Sequence, residues 1–473
     1  MVAAILSCRA TAEATMATLS PTQAQALLRG ALDAALAAAA PARVLPAFLP
    51  KPGKGRTVVV GAGKAAAAMA QAVERHWRGK LSGLVVTRYG HGLPCSKIEI
   101  VEASHPMPDA AGQDAAARIL AAVRGLECDD LVLCLISGGA SALLALPAEG
   151  ISLDDKRAMT HTLLRCGASI AEINSVRKHL SAIKGGRLAA ATFPARVVTL
   201  AISDVPGDDP DVIGSGPTVP DRSSFADARA ILAKYRIVPP PAIAARFAAA
   251  TDETPKPGDK RLARATYRLI AKPQQSLEAA ARFARGRKIS SLVLGDAIEG
   301  EACEVALMHA GIARATKQSR IQLDGKALKL PALLLSGGET TVTFTGAGRG
   351  GRNAEFLLAL ALALKGEPGI HALACDTDGI DGSEDNAGAI IAPDTLARAA
   401  ALGLDLKARL TEHDSWGAFD ALGDLIVTGP TRTNVNDFRA MLVLKPGTTG
   451  RKNATPQKRQ NRRHARTRQR RAG

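Results

Sequence analysis

TVVVGAGKAAAAM, residues 57–69, sets the fold class. A run of high β propensity enters Gly-Ala-Gly, and an Ala-rich stretch of high helix propensity follows at once. A strand that is apolar throughout is covered on both faces, and one that turns through glycine into a helix is half of a βα unit. The theme recurs in GLVVTRYG (83–90), IEIVEASHPMPD (98–109), LVLCLISGGASALL (131–144) and VVTLAISDVPGDDP (197–210). It returns in SLVLGDAIEGEA (291–302), PALLLSGGETTVTF (331–344), HALACDTDGIDG (371–382) and LIVTGPTRTN (425–434). Strands alternating with helices predict an α/β protein with largely parallel sheets, whose ligands bind beyond the carboxyl ends of the strands. The Pro-rich, then charged stretch 239–262 predicts the internal boundary, with a first domain at 22–250 and a second at 262–444. A cleft between two such sheets is the expected site.

Composition agrees with a folded globular protein and not with a disordered chain: 47% of the 473 residues are hydrophobic and 22% charged. The 61 basic residues exceed the 44 acidic ones, giving net +17, a figure that by itself points to nucleic acid. Residues 451–473 hold ten Lys/Arg and no Asp or Glu, which leaves +7 for the rest. That segment has no apolar periodicity and reads as a disordered basic tail. It carries no aromatic residue for base stacking, so a solvated extension is the preferred reading over a nucleic-acid arm; contact with nucleic acid is expected only as non-specific binding by the tail. Seven scattered cysteines without a C-x-x-C pair argue against a disulfide framework or a zinc site. No run approaches the about 18 apolar residues of a membrane span, and no basic region precedes the short apolar patch at the start. A cytoplasmic protein with no membrane partner is expected, and a homo-oligomer is compatible with the sequence.

Gly61-Ala62-Gly63-Lys64-Ala65-Ala66 matches the relaxed dinucleotide pattern G-x-G-x-x-A. The acidic partner that should close the next strand is missing, since that strand ends Val86-Thr87-Arg88. NAD is therefore disfavoured, while Arg88 suits the 2′-phosphate of NADP. What remains is a tight turn with a lysine beside it, which is either an anion site or a structural turn with a solvated lysine. Ser137-Gly138-Gly139-Ala140-Ser141 and Ser336-Gly337-Gly338-Glu339-Thr340 each follow a strand and read as paired loops in the two domains, whose amides converge on phosphate. Asp204 to Asp209, leading to Gly214-Ser215-Gly216, and Asp376 to Asp381 supply hard oxygen ligands of the kind Mg²⁺ takes. Turn chemistry accounts for the same residues in a simpler way. Arg349 to Glu355 places two arginines and a glutamate at a Gly-rich loop, while Arg177, His179, Lys184 and Arg187 form either a basic wall or a charged helix face.

Taken in order, these motifs resemble the glycerate 2-kinase family, two-domain enzymes whose second half is the MOFRL domain and some of which are named hydroxypyruvate reductases. The resemblance rests on VVVGAGKAAAAMA, ASHPMPDAAG, LISGGASALL, EINSVRKHLSAIKGGRLA, AISDVPGDDPDVIGSGPTVPD, LLSGGETTVTFTGAGRGGRNAEF, DTDGIDGSEDNAGA and TGPTRTNVNDF, which run from about residue 57 to 438. It implies a Rossmann-like, doubly wound first domain, a smaller α/β MOFRL domain and an active site in the cleft between them. It also implies ATP-dependent phosphorylation of D-glycerate at its 2-hydroxyl, with Mg²⁺, and assigns catalysis to Lys64 and Arg352.

On that basis the nucleotide is placed against Gly61, Gly63, Ser137, Gly138, Gly139, Ser141, Gly214, Ser215, Gly216, Asn353, Glu355 and Asn434. Mg²⁺ is placed on Asp204, Asp208, Asp376 and Asp378, and the glycerate carboxylate on Arg177 or Lys184. The family pattern T-G-P-T-G-T-N has glycine where this chain has Arg432; a glycine that takes positive φ there would make arginine a hindrance, or else an added cation. An NAD(P)H-dependent hydroxypyruvate reductase is the alternative function, and nucleic-acid binding through the tail the second.

Overall fold

The computed structural model describes residues 19–344 and 346–445. The basic tail at 451–473 lies outside the described residues. Six strands form the first sheet: β1 Thr57–Ala62, β2 Ser82–Arg88, β3 Ile98–Ala103, β4 Leu131–Ile136, β5 Arg196–Ile202 and β6 Ala265–Ala271. They lie in the order 3-2-1-4-5-6 and every pairing is parallel. This is the doubly wound arrangement, with its switch point between β1 and β4. Val59, Val85, Leu133 and Leu200 pack on one face against the helix Ala66–His76. Val60, Val86, Cys134 and Ile136 pack on the other against the helix Ala110–Ala122.

The second sheet contains β7 Ser290–Glu301, β10 Ala332–Thr341, β11 Ile370–Asp376, β12 Gly388–Ile391, β13 Leu425–Ile426 and β14 Asp437–Val443. The remaining strands, β8 Gln322–Leu323 and β9 Lys326–Ala327, form a separate small hairpin. The order is 13-12-11-14-10-7, and only β7 and β10 are parallel. The expectation of largely parallel sheets holds for the first sheet and fails for this one. Strands β11, β12 and β14 are buried on both faces, so their apolar runs look like those of parallel strands while their partners run the opposite way. Nor is Ser336-Gly337-Gly338 a loop: all three residues lie inside β10, where the register shifts against β7.

The boundaries read from the sequence are also corrected. The helix Pro21–Ala39 starts at a Ser20/Gln23 capping box and lays Ala24, Leu28, Ala31 and Ala35 on the second sheet, beside Leu333, Leu373 and Leu442. The Pro-rich stretch near 250 is packed into the first body, since Thr254 donates to Asp221 and Asp221 N donates to Pro255 O. The chain then completes the first sheet with β6 and passes to the second body at Lys272, just before the helix Pro273–Arg285. Proline mixed with charge resembles a linker in composition, but here its polar groups are satisfied within the fold.

A third cluster, of helices only, sits beside the first sheet. Met159, Leu163, Ile173, Val176, Phe225, Ile243 and Phe247 bind together the helices Leu153–Arg165, Ile170–His179, Phe225–Lys234 and Pro241–Ala249. Among the described residues no single helix is long and apolar enough to cross a membrane.

Leu28 is fully buried against the second sheet. Leu28→Ala should cost about 2–4 kcal/mol, seen as a lower urea midpoint. Amide exchange should quicken in β11 and β14 while β1 and β4 keep their protection.

Candidate active site

The site is built at the switch point of the first sheet. The turn after β1 approaches the end of β4 so closely that a Cβ on Gly61 would lie 2.0 Å from Leu135 O, and one on Gly63 2.1 Å from Ser137 Oγ. The amides of the turn are consumed by the protein: Gly63 N donates to Val86 O at 3.0 Å, Lys64 N to Gly138 O at 2.8 Å and Ala65 N to Ser137 Oγ at 3.0 Å. Gly61, Gly63 and Ser137, which the sequence reading places against the nucleotide, fix the turn, and its amides are already bonded within the protein. Its product is the position of Lys64, whose Nζ lies 2.6 Å from Asp378 Oδ2 in the other body. Burial draws the Lys64 amine down, but the Asp378, Asp376 and Asp204 carboxylates outweigh it and hold it above its ordinary value.

Arg352 starts the helix Arg352–Leu364 behind Gly351. Its guanidinium reaches Asp437 Oδ1 at 2.8 Å, Asp376 Oδ2 at 3.0 Å, Glu339 Oε1 at 3.1 Å and Asn436 Oδ1 at 3.2 Å. Asn436 Nδ2 also donates to Asp204 O at 2.9 Å, and Asn434 Nδ2 to Asp204 Oδ2 at 2.8 Å. Gly138 sits under this bridge, where a Cβ would stand 2.0 Å from both Asn434 Nδ2 and Asp204 Oδ2. Burial, then repulsion from Asp378, drives Asp376 well above the carboxylate range, and burial with Glu339 lifts Asp204 to about 6. Lys64 holds Asp378 ionised against its burial. Two cations from opposite bodies thus face a shared group of carboxylates across one cleft, an arrangement suited to a charged group in transfer.

Two family models match the chain, one described as Domain of unknown function (DUF4147) over residues 27–248 and one as the MOFRL family over residues 332–437. A protein of Agrobacterium vitis provisionally named a hydroxypyruvate reductase is 54% identical across 90% of this chain and 96% of its own length. The D-glycerate 2-kinase of Thermotoga maritima is 41% identical across 85% of this chain and 94% of its own. The crystal structure of a glycerate kinase from Thermotoga maritima superposes with a TM-score of 0.79 at 39% identity, covering 89% of this chain and all of that one. The chain belongs to the glycerate kinase family. The two-body α/β architecture that the resemblance implies is borne out with it.

Within this member of the glycerate kinase family, the other sequence candidates separate into groups. Gly138 and Gly139 stay in the cleft, and their amides donate to no acceptor among the described residues. Asn434 anchors Asp204, as above. Ser141 and Ser215 bond each other at 2.8 Å, Ser215 Oγ donates to Asn174 Oδ1, and the carbonyls of Ser215 and Gly216 accept from Gly185 and Gly186. The 214–216 loop thus buttresses Ser141, with the Ser215 hydroxyl and the Ser215 and Gly216 carbonyls bonded internally. Asn353 is likewise internal, joining Asp381 to Asp437 beneath Arg352. Glu355 pairs with His413 at 2.9 Å beside Arg352. Asp208 is drawn away to Lys272 at 3.4 Å. The four aspartates read as metal ligands do not make a cage; among the described residues no group of three or more His, Cys, Asp or Glu is arranged to hold a metal ion. Arg432 adopts φ 59°, the left-handed conformation suspected at that position, at an intrinsic cost of about 1–2 kcal/mol.

The sequence reading missed Asp437, Asn436 and Glu339. The signal for Asn436 and Asp437 was present as the polar residues of Asn434-Val435-Asn436-Asp437 leading into an apolar strand; Glu339 lies in β10, in the stretch read as a phosphate loop. Asp437 is fully buried and also pairs with Arg439 at 2.5 Å. Asp437→Asn should cost about 3 kcal/mol or more by leaving buried guanidinium charge uncompensated, measured by chemical denaturation.

Proposed function

We propose that the chain transfers the γ-phosphoryl group of ATP to the 2-hydroxyl of D-glycerate, giving 2-phosphoglycerate and ADP. The observation that carries this reading is the meeting of Lys64 and Arg352, from opposite bodies, over the Asp204–Asp376–Asp378 carboxylates. Phosphoryl transfer needs alignment and charge neutralisation more than covalent help from the protein. Lys64 and Arg352 neutralise charge on the transferring group, and their carboxylate partners keep both side chains extended into the cleft. The free amides of Gly138 and Gly139 face the same space and donate to anionic oxygens there.

Asp376 and Asp378 fit Mg²⁺, an ion that takes one or two carboxylates and completes its shell with nucleotide oxygens and water. The raised pKa of Asp376 marks a buried carboxylate whose charge its neighbours do not fully balance. When bound, the ion neutralises phosphate charge and orients the phosphate chain. Asp204 is assigned the proton of the 2-hydroxyl, because a carboxyl with a pKa of about 6 is ionised at neutral pH and still basic enough to accept it.

The reductase name of the Agrobacterium vitis relative supports a second reading, reduction of hydroxypyruvate. Against it, the amides of the G-x-G-x-x-A turn are already bonded within the protein and offer no cradle for a pyrophosphate. NADPH oxidation with hydroxypyruvate, without ATP turnover, would reverse the choice.

D-glycerate and Mg-ATP should yield ADP, and NMR of the product should place the phosphate on the 2-oxygen. Lys64→Ala and Arg352→Ala should each lower kcat by about 10²–10³-fold with the fold intact by circular dichroism; near-normal turnover would remove that residue from the mechanism. Because Asp204 must be ionised to accept the proton, kcat/KM should fall as pH drops through about 6. Asp204→Asn should abolish that acid limb along with most of the rate.

A further inference from the structure

Beside Ser141, at the end of the Gly138–Ser141 turn, lies a cavity of about 200 Å³ lined mainly by the helical cluster and by Pro106–Pro108. Lys156, Arg177 and Lys184 converge on it. Lys156 and Lys184 are 6% and 1% exposed. Lys184 Nζ meets only Ser141 O, at 2.6 Å, and Lys156 Nζ only Leu146 O, at 3.3 Å. Arg177 has no hydrogen-bonding or ionic partner among the described residues. No carboxylate lines the cavity; Arg157 at its rim is tied to Pro108 O and Asp154. Met107, Pro108 and Leu164 supply apolar walls.

Three basic side chains share this space with no carboxylate among the residues that line it, so burial and mutual repulsion both oppose their protonation. Burial and the Arg177 charge draw the Lys156 amine down to about 7, and burial with both neighbours draws Lys184 well below its usual range. Ion clusters of this kind are retained where a ligand balances them.

We propose that this cavity is a binding site for a multiply charged phosphate group, with Lys156, Arg177 and Lys184 as its ligands. The resemblance places a carboxylate on Arg177 or Lys184; Lys156, which the sequence reading does not single out, adds a third basic group that a single carboxylate cannot balance. Phosphate and diphosphate groups match it, and cations in this number are their usual partners. The floor of the cavity is the main chain of Ser141, two residues from Gly139, where Lys64 packs, so a phosphate chain held here leads toward the cleft. The inference rests on the phosphoryl-transfer reading only for the source of the phosphate, either the nucleotide or the phosphorylated acid.

Calorimetric titration of the full chain with ADP, pyrophosphate, 2-phosphoglycerate and D-glycerate tests it, using the parent protein, Lys156→Met and Arg177→Met. A nucleotide source predicts that both variants bind ADP and pyrophosphate at least tenfold more weakly. An acid source predicts the same loss for 2-phosphoglycerate. In either case D-glycerate should change by less than threefold, and both variants should melt at or above the parent without ligand. A loss confined to D-glycerate, unchanged binding of every phosphate, or a variant that melts well below the parent would each overturn the proposal. Loss of ADP affinity in variants of a parent that transfers no phosphate to D-glycerate would uphold the site and reject the reaction.

Discussion

The ion pair between Lys64 and Asp378 is the interaction on which the cleft depends. It crosses from one body to the other with both partners largely out of water, where a charge is tolerated only beside its counter-charge. Everything around it serves to fix the two ends. The β1–β4 approach and the filled amides of the Gly63–Ala65 turn hold the lysine. Asp376 Oδ1 accepts from Asp378 N, and Thr431 N donates to Asp378 O, which holds the aspartate loop. The Asn434–Asp204 bridge gives the bodies a second polar contact a short distance away.

Charge is distributed unevenly about the Gly138–Ser141 turn. On the cleft side, Glu339, Asp376, Asp378, Asp437 and Asp204 outnumber Lys64 and Arg352. On the other side, cations stand without carboxylates. The two faces of the turn thus differ in sign, acidic toward the cleft and basic toward the cavity. The turn between them is short, rich in glycine and, among the described residues, leaves the Gly138 and Gly139 amides without an acceptor.

The sequence disclosed the first sheet well, because parallel strands buried on both faces and joined through helices leave a repeated pattern. It did not disclose the direction of strands in the second sheet, since covering both faces of β11 and β14 erases the alternation that marks antiparallel pairing. Lys64 and Arg352 were legible because glycine turns place them at element starts. Ser137, Ser215 and Asn353 sit in equally suggestive contexts, yet the Ser137 and Ser215 hydroxyls and the Asn353 amide nitrogen are bonded inside the protein, a consequence of tertiary packing. Lys156 was invisible for the opposite reason: in LDDKRAMTHTLLR it reads as one more charge on a solvent-facing helix. Its burial comes from the neighbouring helical cluster, a tertiary effect with no local signature.

The path of the chain has a consequence for how the molecule is divided. The helix Pro21–Ala39 belongs to the second body, the strands from β1 to β6 to the first, and everything after Lys272 to the second again. The polypeptide therefore crosses between bodies twice, near residues 40 and 272, and the first body is in effect an insertion within the second. A fragment cut at either crossing would carry one body intact and leave the other without a wall. The two bodies are thus joined covalently at two points rather than one.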